Sequence, residues 1–134
     1  MYLLDTNALI ILMFGNVANA KLSNETLELM EKEDKLYISE ISLWEIAIKV
    51  KLQKLDITQP VTWIAEQCRA NGIDTIPVSV EQFAETMKLP LIKDHGDPFD
   101  RLIICVAKMK GMKLITTDGK ILGHREEYCL EALS

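Results

Sequence analysis

Asp97-Pro98-Phe99-Asp100-Arg101-Leu102-Ile103-Ile104-Cys105-Val106-Ala107-Lys108-Met109-Lys110-Gly111-Met112-Lys113-Leu114-Ile115-Thr116-Thr117-Asp118 reads as a helix, a stop, a strand and a terminal acid in one uninterrupted run. Asp97 sets a capping carboxylate ahead of Pro98, whose fixed φ and missing N–H suit a first helical turn. Phe99, Leu102, Ile103 and Val106 recur at the spacing of one helical face, and Gly111 closes the helix. Met112 to Ile115 is apolar and too brief for a helix, so it is predicted to be a strand ending at Thr116-Thr117-Asp118. A helix that leads directly into a buried strand is the repeating unit of a parallel sheet covered by helices.

The same alternation extends in both directions. Tyr2 to Leu4 is a first strand ending at Asp5, and Asp5-Thr6-Asn7 caps an apolar helix running to about Phe14, where Gly15-Asn16 interrupts it. Ser23 to Asp34 is an exposed helix carrying Leu27, Leu29 and Met30, and Leu36 to Ile38 is a second strand. From Ser39 or Ser42 to about Leu52, the residues Ile41, Trp44, Ile48 and Leu52 recur at helical spacing. Pro60 opens the next helix, Asn71-Gly72 caps its end, and Ile73 to Val78 is a strand. Ser79-Val80-Glu81-Gln82 has the form of a capping box opening a short helix that ends before Pro90, and Tyr128 to Leu133 is a last edge strand. Residues 1–134 are thus predicted to form a single three-layer α/β/α domain with a central, mostly parallel sheet.

The 134-residue length suits one domain, and neither a repeat nor a linker rich in Pro, Gly and Ser interrupts it. The longest apolar run, Ala8 to Phe14, is far shorter than the roughly 20 residues a membrane-spanning helix needs. With no basic leader and cleavage site at its start, the chain is expected to be cytoplasmic, with no membrane contact. Cys68, Cys105 and Cys129 are odd in number and widely spaced, which predicts small buried residues rather than disulfides or a zinc site. His95 and His124 lack partner spacing for metal ligation and read as loop or surface residues. Net charge is −5, which weighs against a nucleic-acid partner; two bound divalent cations would bring it to about −1, so acidity alone does not exclude RNA.

Two acids, Asp5 and Asp118, fall where predicted strands end, on the rim where open parallel sheets bind ligands. Glu45 and Asp100 lie in first turns of helices and reach the same rim if those helices begin at that edge. Such a group of carboxylates suits magnesium or manganese, hard ions that take one or two carboxylates each and leave room for phosphate. Each acid also has a plain structural reading. Asp97 is a good N-cap, Glu45 completes a Ser42-x-x-Glu45 capping box and can pair with Lys49, Asp5 can cap a helix, Asp118 can sit in an Asp-Gly turn, and Asp100 can pair with Arg101. Trp44 is expected in the core, whereas Lys49, Lys51, Lys54 and Arg101 can either guide a phosphate backbone or simply face solvent.

Taken together, four local contexts shift the balance. Leu3-Leu4-Asp5-Thr6-Asn7, Ser42-Leu43-Trp44-Glu45-Ile46, Asp97-Pro98-Phe99-Asp100-Arg101-Leu102-Ile103-Ile104 and Leu114-Ile115-Thr116-Thr117-Asp118 resemble, in order, the four acidic segments of PIN-domain ribonucleases of the VapC toxin type. The resemblance implies an endoribonuclease that hydrolyses RNA phosphodiesters with a metal-activated water, using Mg2+ or Mn2+. It implies Asp5, Glu45, Asp100 and Asp118 as catalytic residues and metal ligands, with Asp97 beside them as cap, outer acceptor or further ligand. Thr6 and Thr117 would offer hydroxyls to a carboxylate or water. A cognate antitoxin of a toxin-antitoxin pair and a homodimer partner are implied in the same way. Two other readings stand beside it. One is a non-cleaving binding or scaffold protein on the same fold. The other is a phosphohydrolase of the haloacid-dehalogenase type, which ranks last because Asp5-Thr6-Asn7 lacks that chemistry's second aspartate.

Overall fold

The computed structural model describes residues 1–15 and 20–134. Asn16, expected to help interrupt the first helix, lies outside the described residues. Five strands, β1 (Tyr2–Leu4), β2 (Leu36–Ser39), β3 (Ile73–Ile76), β4 (Lys113–Ile115) and β5 (Ala132–Leu133), form one sheet in the order β3-β2-β1-β4-β5. Every neighbouring pair is parallel, with Leu4 opposite both Ile38 and Ile115. The helices are α1 (Thr6–Phe14), α2 (Asn24–Glu31), α3 (Glu40–Lys51), α4 (Val61–Ala70), α5 (Val80–Thr86), α6 (Pro98–Lys110), α7 (Gly119–Gly123) and α8 (Arg125–Tyr128).

Alternation along the strands builds one core on each face of the sheet. Leu4, Ile38 and Ile115 point to a cluster completed by Leu9 and Ile10 of α1, Met30 of α2 and Ile64 of α4. Leu3 and Leu114 point the other way, to Ile103, Ile104 and Val106 of α6, Ile121 of α7 and Tyr128. Strands buried on both faces carry continuous apolar runs, as in Tyr2-Leu3-Leu4, and these cores produce the predicted three layers. Chain order runs outward from β1 in one direction through β2 and β3, and in the other through β4 and β5. The sheet therefore reverses between β1 and β4, and the rim beyond the carboxyl ends of those two strands is where open parallel sheets bind ligands.

Several local expectations need correction. The Ser42-x-x-Glu45 capping box does not form, because β2 runs straight into α3 and Ser39 supplies the cap, accepting the Ile41 N–H at 3.2 Å. The inward face of α3 is Ser42, Glu45 and Ile46 rather than the apolar stripe through Trp44 and Leu52, and Trp44 is 60% exposed, edge-on to Phe99. β3 stops at Ile76, since Pro77 has no N–H for the ladder and the Val78 N–H turns to Glu40 Oε1 at 2.9 Å. Tyr128 ends α8 and does not begin a strand, so only Ala132 and Leu133 pair with β4. Cys68 and Cys105 are buried as expected, but Cys129 is exposed, at the left-handed position that terminates α8.

Candidate functional site

The rim beyond β1 and β4 carries side chains from the first residues after each of these strands. Asp5 follows β1 and caps α1, its Oδ1 accepting the Ala8 N–H at 2.8 Å. Its Oδ2 accepts the hydroxyl of Thr116, the residue after β4, and that same hydroxyl oxygen accepts the Asp118 N–H at 3.0 Å. Thr116 thus ties two of the predicted acids together across neighbouring strands. The sequence points to Thr117 as the hydroxyl donor, whereas the structure turns Thr116 inward, where it is fully buried. Asp118 in turn caps α7, its Oδ1 accepting the Lys120 N–H at 2.8 Å.

Glu45 reaches the site from the second turn of α3. Oε1 accepts the Thr6 hydroxyl at 2.6 Å, and that hydroxyl lies 2.9 Å from Ser42 Oγ. Oε2 pairs with Lys49 at 3.1 Å, the i,i+4 partnership expected from sequence. A buried carboxylate on a helix face that also buries Ser42 explains why apolar spacing chose the wrong face of α3. The helix is turned by a polar anchor, and sequence patterns fail where function intrudes.

Asp100 sits in the first turn of α6, and Asp97 caps that helix through Oδ1, which accepts the N–H groups of Phe99 at 2.9 Å and Asp100 at 3.1 Å. Arg101 does not pair with Asp100. Its guanidinium donates to the carbonyls of Thr86, Leu89 and Pro90 at 2.8 to 3.2 Å, closing the C-terminal end of α5 and the turn after it. Lys51 and Lys54 are exposed.

His95 lies in the loop before α6, as expected, but it is buried there and not at the surface. It is 3% exposed, with Nε2 3.2 Å from Asp100 Oδ2 and 3.8 Å from Asp118 Oδ2, while Nδ1 lies 2.6 Å from the Tyr128 hydroxyl. His95, Asp100 and Asp118 converge closely enough for one atom of each to surround a metal ion. No spacing rule finds such a histidine, because its neighbours come from α6, the end of β4 and α8. His124 stays at the surface beside Asp94 and Glu127.

The electrostatics follow from this crowding. Burial pushes the Asp5 carboxyl up to about 6, against the Thr116 and Ala8 hydrogen bonds that lower it, and Asp118 and Glu45 add repulsion. Burial also pushes Asp100 up to about 8, reinforced by Asp97, Asp118, Glu45 and Asp5. The four predicted acids therefore share one field, with Asp97 at its edge. Carboxylate oxygens under mutual repulsion, with Lys49 paired to Glu45, make a donor set that fits a hard divalent cation.

The sequence profile of the PIN domain matches residues 2–125. Ribonuclease VapC22 of Mycobacterium tuberculosis is 30% identical over 106 residues, which span 78% of this chain and 79% of the relative. Among solved structures, VapBC2 from Rickettsia felis bound to a DNA fragment from their promoter is similar with a TM-score of 0.65 at 18% identity, covering 98% of this chain and 96% of that chain. A toxin-antitoxin complex from Klebsiella pneumoniae matches with a TM-score of 0.61 at 18% identity, covering 100% of this chain and 97% of that chain. These structures share the fold, and the profile match together with the 30% identical relative carries the assignment: the chain belongs to the PIN-domain family.

Proposed function

We propose that this chain is a divalent-metal-dependent endoribonuclease and the toxin of a toxin-antitoxin pair. The observation that carries the reading is the convergence of Asp5, Glu45, Asp100 and Asp118 at the sheet's switch point, where repulsion and burial hold Asp100 near 8. The similarity to a ribonuclease and to toxin-antitoxin complexes supports the same reading. The fold also supports taking residues 1–134 as one domain, since both cores lean on a single sheet.

Asp5, Asp100 and Asp118 would hold Mg2+ or Mn2+, with Glu45 as the fourth carboxylate. Bound there, the cation supplies Lewis acidity toward a phosphodiester and activates a water. The chain's own residues do the rest. Thr116 fixes Asp5 and the backbone before α7, so Asp118 is aimed from a rigid turn. Thr6 and Lys49 hold Glu45 on both oxygens, which fixes the orientation of that carboxylate beside the other acids. Asp97 is engaged through Oδ1 as a helix cap, and its role here is to add negative potential at Asp100 rather than to ligate.

RNA is the substrate class, and a small cognate antitoxin and a second copy of the chain are the partners. A groove lined by Leu12, Met13, Leu27, Met30 and Trp63, and edged by Glu31, Glu33 and Asp34, supports a partner-covered face apart from the four site acids. Among the described residues no helix is long and apolar enough to cross a membrane, and a cytoplasmic site of action fits an RNA substrate.

The test is cleavage of a structured RNA pool by partner-free protein in Mg2+ or Mn2+ against EDTA, with Asp5→Asn and Asp100→Asn alongside. Cutting that needs metal and both carboxylates supports the reading. Folded protein that binds RNA without cutting in either metal supports the non-cleaving scaffold reading instead.

A further inference from the structure

His95 has no part in the reading above, although it is as buried as Asp5 and faces two of the acids. It is set there by a tight turn in which its N–H donates to the Ile92 carbonyl at 3.0 Å, and its ring stands edge-on to Tyr128 at 5.7 Å. Its tautomer follows from the hydrogen-bond partners of its two ring nitrogens. Tyr128 is fully buried, and a buried phenol O–H needs an acceptor. Among the described residues, the side-chain partner of that hydroxyl is His95 Nδ1 at 2.6 Å.

The phenol therefore donates to Nδ1, Nδ1 carries the lone pair, and the proton of the neutral ring sits on Nε2. Nε2–H then faces Asp100 Oδ2 at 3.2 Å, with Asp118 Oδ2 beyond it at 3.8 Å. The opposite tautomer would leave the buried phenol proton unpaired. We propose that Tyr128 fixes the His95 tautomer so that Nε2–H clamps Asp100 from within the core, making His95 a positioning residue of the cation site and not a ligand.

The inference rests on the proposed cation site and adds what holds it in shape. Carboxylate ligands of metal sites are themselves hydrogen-bonded by outer partners, and losing such a partner weakens metal binding about 10- to 100-fold. With Oδ2 held by the imidazole, Asp100 keeps Oδ1 as its free donor. The ion then sees oxygen ligands only, and the site keeps its preference for hard ions instead of shifting toward those that favour imidazole.

Three measurements test this. Nitrogen-15 NMR of metal-free protein labelled in the imidazole should show the Nε2–H tautomer for His95, and Tyr128→Phe should lose that fixed tautomer. Mn2+ titration followed by electron paramagnetic resonance should show His95→Gln, whose amide can place a donor near the Nε2 position, within about 3-fold of wild type. His95→Phe should bind about 10- to 100-fold more weakly. Electron spin echo spectra of Mn2+-loaded wild type should carry no directly bound nitrogen. An Nδ1–H tautomer, a directly bound nitrogen, or unchanged Mn2+ affinity in His95→Phe overturns the inference while leaving the cation site standing. Failure of wild type to bind Mn2+ overturns the cation site and the role of His95 with it.

Discussion

Thr116→Val is the most informative single substitution outside the acids. Valine keeps the shape of threonine and its strand preference but removes one hydroxyl that does two jobs: it donates to Asp5 Oδ2 and accepts the Asp118 N–H. A hydrogen bond to a charged group contributes about 1.5–3 kcal/mol, and a buried donor left without a partner costs about 1–3 kcal/mol. These do not add fully, because Asp5, already held near 6, can take up a proton and water can reach the partly buried Asp118 amide. A loss of about 2–4 kcal/mol follows. In a domain of 134 residues each kcal/mol moves the Tm by about 3–5 °C, so the melting point should fall by about 10 °C. The Thr116 hydrogen bond lowers the Asp5 pKa, so the variant's Asp5 should titrate above 6, readable by carboxyl carbon-13 NMR. Calorimetric melting within 2 °C of wild type, with unchanged Asp5 titration, would refute the linkage between β1 and β4 described here.

Other outcomes follow from the same geometry. Asp5 and Asp100 have folded-state pKa values raised from 3.8 to about 6 and about 8, so the folded metal-free protein binds more protons than the unfolded chain between pH 4 and 8. The stability they contribute is full below about pH 4 and is lost as pH rises toward 8, so the metal-free Tm should fall across that window and Mg2+ should flatten the decline. At pH 7, cation binding should release about one proton, chiefly from Asp100, seen as a calorimetric heat that changes with buffer ionisation enthalpy. Arg101→Ala should destabilise by about 2–3 kcal/mol in urea unfolding, through the three freed carbonyls of the α5 end, without changing the salt dependence of RNA binding. Cys129→Gly should stabilise by about 0.5–1 kcal/mol, since Cys129 holds φ 52 at the end of α8.

The layers and the mostly parallel sheet are legible because burial and periodicity coincide there. β1 and α6 are apolar where they meet the core, and Asp97-Pro98 and Gly111 mark the ends of α6 by backbone chemistry alone. What stayed illegible depends on contacts between distant segments. Trp44 reads as core by its size, yet α3 is rotated by Ser42 and Glu45, whose burial reflects the hydroxyl of Thr6 rather than any local pattern. His95 reads as an isolated loop histidine because Tyr128, its partner, lies 33 positions away. Arg101 reads as a partner for Asp100 because they are adjacent, but α6 directs them to different neighbours. The acids themselves were found through their local contexts, and it took the sheet's reversal between β1 and β4 to show why those contexts meet.

The most direct test of the central claim is to let the partner-free protein cut RNA in Mg2+ and water enriched in oxygen-18, and to read the product ends by mass spectrometry. Hydrolysis at the acidic site predicts one solvent oxygen in each new terminal phosphate, no cyclic phosphate, and no product with Asp100→Asn. Ends bearing a 2′,3′-cyclic phosphate without solvent oxygen, or cutting that survives Asp100→Asn, would contradict it.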